Sequence, residues 1–201
     1  MEINFENIKK DVENSMSQTR FEHTLGVVEQ IEYICKKFKL DIDINKAKIT
    51  ALTHDIAKEL SDDKVAYYIN KYNIEVTEEE EKYRGLLHGK IGACIVKERY
   101  NFDEDMIDAI AKHTKGSNNM SELAKALYVS DVTEKRVHKA EKIIKIVDEC
   151  NSLDEAYMYT VLNKFCYMLK KNNLVDNFKL FMHVANENNK DALKLVDKFL
   201  E

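Results

Sequence analysis

The sequence predicts an all-α fold, and three observations carry that expectation. The 201 residues contain no proline and only 5 glycines, so little interrupts a regular backbone. Apolar residues recur at three- and four-residue spacing along almost the whole chain, which is the period of an amphipathic helix. Charged residues make up 33% of the sequence, enough to solvate the outer faces of helices joined by short polar turns.

The elements follow in order. A short helix is expected over Phe5 to Asn14. Ser17 then caps a long helix carrying His23, Val27, Ile31 and Ile34 at helical spacing. Lys39-Leu-Asp-Ile-Asp-Ile-Asn45 is a polar connection into a helix bearing His54-Asp55. Its two stripes, Ile49-Leu52-Ile56-Leu60 and Ala47-Ala51-His54-Asp55-Lys58, leave little solvated face, as suits a central helix. Ser61 or Asp62 starts a short helix through Val65 and Ile69. The acidic run Glu78 to Glu81 reads as a solvated face or loop. Gly85-Leu-Leu-His88-Gly opens a helix through Ile91 and Ile95, and another spans Glu104 to His113. Lys115-Gly-Ser-Asn-Asn119 is a break, after which Ser121 leads into a helix through Leu123, Leu127 and Asp131. Three further helices are expected, over Lys139 to Cys150, Leu153 to Leu169 and Asp176 to Leu200.

This length suits one domain, or a core with a helical extension, and can bury a proper core. The net charge of −5 and pI near 5.8 argue against a broad nucleic-acid or acidic-membrane surface. The four cysteines form no CxxC pair and are expected as buried free thiols in a reducing compartment. Met-Glu-Ile-Asn-Phe-Glu lacks the apolar core of a signal peptide, and no apolar run approaches the ~20 residues of a membrane span. The expectation is a soluble cytoplasmic protein.

Of the six histidines, His23, His54, His88 and His113 fall among the apolar positions, as do Asp55 and Asp131. His23 is four before Val27, His88 three before Ile91, His113 three after Ile110, and Asp131 four after Leu127. Residues so spaced share a helix face, so these groups should point inward. Any one of them alone reads as a hydrogen-bonded core histidine, a cap or half of a buried ion pair. Together they would bury carboxylates at several kcal/mol each unless compensated, and a divalent ion compensates them jointly. Imidazole and carboxylate are the usual donors to such an ion. Asp55, with two oxygens, could bridge to a second. His138 and His183 fit no such pattern and read as surface or local residues.

The order His23, His54-Asp55, Asp131 resembles the HD-domain metal-dependent phosphohydrolases. The wording Arg20-Phe-Glu-His23-Thr-Leu-Gly, His54-Asp-Ile-Ala-Lys58, Leu86-Leu-His88-Gly-Lys-Ile-Gly-Ala93, and His113-Thr with Asn119-Met-Ser is similar to the YqeK-type bacterial branch, which are symmetrical diadenosine tetraphosphate hydrolases. The resemblance runs from about Ser17 to Glu134 and more weakly to about Asn186. It implies a single HD-type helical bundle over residues 1–201, with a metal-site core at about 17–137 and a C-terminal helical extension at about 138–201.

By the same resemblance, His23, His54, Asp55 and Asp131 hold the first metal of a site for one or two divalent or trivalent ions, iron first, with manganese, cobalt or zinc also suited. Asp55, His88 and His113 are the catalytic candidates, with His88 and His113 holding a second metal or the substrate phosphates. Arg20, Lys58, Lys90 and Thr114 are implied contacts to the polyphosphate. Lys170 and Lys171 lie in a tail segment implied to close over the adenosine half, whose reading from sequence alone is a helix-to-helix turn with a cationic cap. The implied reaction is cleavage of diadenosine tetraphosphate by a metal-activated water to two ADP. Dinucleoside polyphosphate or another nucleotide is the partner, nucleic acid and membrane are not, and a homodimer is the default. After Asp131 the family's Asp-x-x-Glu-Pro-x-Arg reads Asp131-Val-Thr-Glu134-Lys-Arg136 here, without the proline and with the arginine one place early. Three alternatives stay open: an HD phosphohydrolase for mononucleotides, deoxynucleotides or a guanosine alarmone; a metal- and nucleotide-binding sensor without turnover; and a purely structural helical protein.

Overall fold

The computed structural model describes residues 4–136 and 141–170, and side chains to Tyr167. Within them lie ten α-helices and no strand: α1 (Phe5–Glu13), α2 (Gln18–Phe38), α3 (Ile44–Thr53), α4 (Asp62–Tyr72), α5 (Glu78–Lys82), α6 (His88–Tyr100), α7 (Glu104–Lys112), α8 (Glu122–Thr133), α9 (Glu141–Glu149) and α10 (Leu153–Lys170), with a 3₁₀ turn at Arg84–Leu87. The expected helix over Asp176 to Leu200 lies outside the described residues, as do His138, His183 and Lys171. None of the described helices is long and apolar enough to cross a membrane.

Capping residues set the starts where the sequence puts them. Ser17 Oγ accepts from Arg20 N, Asp43 from Lys46 N, Asp103 from Met106 N and Ser121 from Ala124 N, each satisfying an amide the first turn leaves free. At the ends, Asn73 and Asn101 adopt left-handed backbone (φ 49° and 52°), a role in which asparagine stands in for glycine.

Helix α8 is the hub. It packs on α2, α3, α7, α9 and α10, and its buried residues, Leu123, Ala124, Ala126 to Ser130 and Thr133, leave little of its circumference to solvent. Helix α2 lies along α3 and α8, and α6 lies along α7. Val27, Ile31, Leu52, Ile91, Ile110 and Leu127, all fully buried, form the interior. The packing of α2, α3, α7 and α8 against one another brings the polar residues of their inner faces to one place.

Two expectations are corrected here. The central helix does not run on through His54-Asp55: α3 ends at Thr53 and residues 54–59 are consecutive turns. Ile56 N bonds back to Thr53 O (3.1 Å) and Lys58 N to Asp55 O (2.9 Å), three residues rather than four. Thr53 Oγ1 also draws on Ile49 O and Thr50 O, a side-chain competition that bends a helix end. The acidic run is likewise only partly solvated. Glu80 is 1% exposed, closes a capping box with Thr77 and takes Lys90 Nζ at 2.7 Å.

Candidate metal centre

Four imidazoles meet with their Nδ1 atoms already committed. His54 is the C-cap of α3, His113 the C-cap of α7, and His88 follows the 3₁₀ turn. At a helix end the carbonyl three residues back is free. Nδ1 of His54 lies 2.7 Å from Ala51 O, of His113 2.7 Å from Ile110 O, and of His88 2.5 Å from Gly85 O. A carbonyl only accepts, so each Nδ1 donates, and each ring, when neutral, presents an Nε2 lone pair inward. His23, in the body of α2, places Nδ1 3.3 Å from Glu134 Oε2 instead.

Those lone pairs crowd onto one another and onto two carboxylates. His88 Nε2 is 3.0 Å from His113 Nε2, and Asp55 Oδ1 is 3.1 Å from the former and 3.5 Å from the latter. His23 Nε2 is 3.1 Å from Asp131 Oδ1. His54 Nε2 is fully buried without a hydrogen-bond partner, 3.5 Å from Asp55 Oδ2 and 3.6 Å from Asp131 Oδ1. Acceptors at these separations repel unless a proton or a cation lies among them. The donors fall into sets within 4.8 Å of each other: His23-His54-Asp55, His54-His113-Asp131 and Asp55-His88-His113. Nitrogen and oxygen donors without a thiolate suit a first-row divalent ion. The residues present fit such an ion. The first and third sets share only Asp55, whose Oδ2 faces His54 and Oδ1 faces His88 and His113.

The electrostatics agree. Burial works against charge on His54, but the carboxylates of Asp55 and Asp131 outweigh it and push this imidazole up to about 9. Burial pulls His113 down to about 4 against the opposing pull of Asp55. Desolvation would raise Asp55 and Asp131, yet the surrounding imidazoles, His54 and His113 for Asp55 and His23 and His54 for Asp131, hold both well below the usual carboxylate range. The centre therefore holds two ionised carboxylates at neutral pH and calls for positive charge.

Around this centre Arg20 NH1 bonds Asp55 Oδ2 at 3.0 Å, and its Nε is buried with no partner. Lys58 Nζ lies 3.4 and 3.5 Å from the two ring nitrogens of His88; it arrives there through the tight turn, not along a helical face. Thr114 Oγ1 is 3.1 Å from His88 Nε2. Lys90 belongs elsewhere: its ammonium is held by Glu80 and by Glu75 O at 2.9 Å. Lys171 and the side chain of Lys170 lie outside the described residues.

Lys164 escaped the sequence reading, and Glu134 enters it only as part of the motif after Asp131, with no role. Lys164 of α10 donates to Thr114 O and lies over the Tyr128 ring, and burial pulls its ammonium down to about 8. Nothing in the local spacing marks it, since α10 meets the centre only through tertiary packing. Glu134, 1% exposed, stands three residues after Asp131, a spacing that does point to it. Beside His23 a cavity of about 380 Å³ opens between Arg20, Glu59, Glu134 and Arg136.

The chain matches the HD-domain family model over residues 20–153. A protein of Bacillus subtilis called a symmetrical bis(5'-nucleosyl)-tetraphosphatase is 28% identical over 167 residues, 82% of this chain and 87% of that one. Proteins of the same description from Halalkalibacterium halodurans (29% over 165 residues, 80% and 85% of the two chains) and Staphylococcus aureus (26% over 175 residues, 86% and 84%) also match. Among solved structures, a protein of Clostridium acetobutylicum described as a "predicted HD superfamily hydrolase involved in NAD metabolism" superposes with a TM-score of 0.81 at 26% identity, covering 92% of this chain and 98% of that one.

Proposed function

As the chain belongs to the HD-domain family, a family of metal-dependent phosphohydrolases, we propose that it hydrolyses diadenosine tetraphosphate symmetrically to two ADP. The observation that carries this reading is the buried His54 Nε2, partnerless between two ionised carboxylates. It is the donor that an ion completes. His23, His54, Asp55 and Asp131 would hold the first ion and Asp55, His88 and His113 a second, with iron as the proposed metal. A bound divalent ion supplies Lewis acidity, making water nucleophilic near neutral pH and neutralising phosphate oxygens.

The chain's own groups account for the rest. Arg20 fixes Asp55 through NH1, while its partly exposed guanidinium remains to meet a phosphate oxygen. Lys58 beside His88 and Lys164 beside Thr114 bring ammonium groups to the edge of the centre, where they would offset charge on the equatorial oxygens as the anhydride breaks. His113 stays unprotonated at neutral pH, so its Nε2 can ligate or accept a proton. Thr114 Oγ1 orients His88. The relatives' description as symmetrical tetraphosphatases supports the choice of substrate and of cleavage at the central anhydride.

A second reading has its own support in the solved neighbour, whose description names NAD metabolism. NAD is also two nucleosides joined through phosphoanhydride, so the shared chemistry is a dinucleotide anhydride. Protein purified without oxygen and incubated with diadenosine tetraphosphate, NAD, mononucleotides and guanosine tetraphosphate separates the readings. ADP as sole product from the first supports the proposal; faster turnover of any other member replaces it.

A further inference from the structure

His54, His88 and His113 stand at helix ends and find a free carbonyl three residues back. His23 cannot do so, because inside α2 the carbonyls are committed to amides four residues on. Its Nδ1 needs a partner from another element, and Glu134 Oε2 supplies one at 3.3 Å. Glu134 lies immediately after α8 in extended backbone (φ −59°, ψ 129°). This turns its side chain back toward α2 while Asp131, one turn earlier, reaches Nε2 of the same ring at 3.1 Å. The other carboxylate oxygen is tied down by Arg136 N at 2.9 Å.

The opposite wall has been cleared for it. Gly26 lies three residues beyond His23 and so on the same face. A Cβ at Gly26 would stand 2.2 Å from Glu134 Oε1, 2.7 Å from Cδ and 2.8 Å from Cγ. Glycine inside a helix is otherwise disfavoured; here it makes room for a carboxylate that is itself 1% exposed. Burying that charge is costly unless it serves a hydrogen-bonded partner.

We propose that Glu134 is a positioning residue for the metal, a carboxylate that fixes the tautomer and orientation of His23 and raises the basicity of its Nε2, with Gly26 as the space it occupies. It rests on the metal-centre reading above. The general chemistry is that of a carboxylate on the distal nitrogen of a ligating histidine, whose loss typically costs roughly 10- to 100-fold in metal affinity.

The test titrates the metal-free full chain with Co²⁺ against a competing chelator and records the visible absorption of the bound ion. Glu134→Gln, which keeps an acceptor of the same shape and loses the charge, is expected to bind roughly 10- to 100-fold more weakly with a shifted spectrum and unchanged helical circular dichroism. Gly26→Ala, which keeps the carboxylate but displaces it from His23, is expected to shift both in the same direction, and it decides the matter if Glu134→Gln does not fold. Wild-type affinity and spectrum in a folded Glu134→Gln would overturn the proposal, as would a wild-type spectrum in Gly26→Ala. Failure of the wild-type protein to bind Co²⁺ would instead overturn the metal-centre reading itself.

Discussion

Gly89 sits where α6 crosses α7, and the absence of its side chain sets how closely His88 and His113 approach. A Cβ there would lie 2.9 Å from Ala111 O, 3.0 Å from Thr114 Oγ1 and 3.1 Å from Ile110 O. Two of these are backbone carbonyls, and Ile110 O is the acceptor that orients His113. Ordinary C···O contacts of this kind lie at about 3.3–3.6 Å, so Gly89→Ala must move α6 from α7 by roughly half an ångström. Such overpacking costs about 1–3 kcal/mol, and the better helix propensity of alanine returns about 1. The net loss is about 0–2 kcal/mol, a fall of at most ~8 °C in Tm at ~2–4 °C per kcal/mol for a chain of this size. Function should suffer more than the fold. The displacement opens the 3.0 Å approach of His88 to His113, and since ~1 Å of misplacement can cost about 10²-fold, a loss on the order of tenfold in kcat/KM is expected. Thermal unfolding and hydrolysis of diadenosine tetraphosphate read the two effects separately. A folded Gly89→Ala with wild-type kcat/KM would refute the claim that this glycine sets the distance between the two histidines.

Other consequences follow from the same structure. Leu127→Ala, at a fully buried position of the hub helix, should lose about 2–5 kcal/mol in chemical denaturation. Cys35 is buried, and burial followed by the charge of Glu122 pushes its thiol up to about 11. The unfolded thiol ionises near 8.5, so across pH 9 to 11 the unfolded chain has shed a proton that the folded one retains, and stability falls with rising pH. In Cys35→Ala that part of the alkaline slope should vanish from unfolding curves measured at pH 9, 10 and 11. Saturating the centre with Mn²⁺ or Co²⁺ at about 100 times the dissociation constant should add ~2.7 kcal/mol, some 5–11 °C in Tm. A chelator should reverse this, and Asp55→Ala should show no such shift.

What the sequence made legible, and what it hid, have distinct physical causes. His23 and Asp131 lie in the bodies of α2 and α8, where three- and four-residue spacing reports their faces directly. The spacing that marks His88 and His113, and the small-residue stripe that marks His54, give only part of the reason these rings meet. They sit at helix ends, where free carbonyls hold the rings, and periodicity says little about a chain that has left the helix. Lys58 shows the consequence, since its place beside His88 depends on the tight turns after Thr53. The resemblance implies Lys90 as a phosphate contact, and nothing local reveals that Glu80 is buried and takes its ammonium. Lys164 was invisible because only the packing of α10 on α8 brings it to Thr114. Local spacing thus points to the imidazoles and carboxylates that converge more directly than to the cations around them, because Lys90 and Lys164 are placed by contacts between distant segments.

In the proposed function, His54 Nε2, Asp55 and their neighbours hold an ion that drives cleavage of a dinucleotide anhydride. The most direct measurement quantifies metal in protein purified without oxygen, for the wild type and for Asp55→Ala, and resolves the products each forms from diadenosine tetraphosphate. Bound metal and ADP as the only product are expected in the wild type, and loss of both together in the variant. Wild-type protein that carries no metal and takes none up on reconstitution, or metal-free Asp55→Ala protein that still forms ADP, would contradict the proposed function.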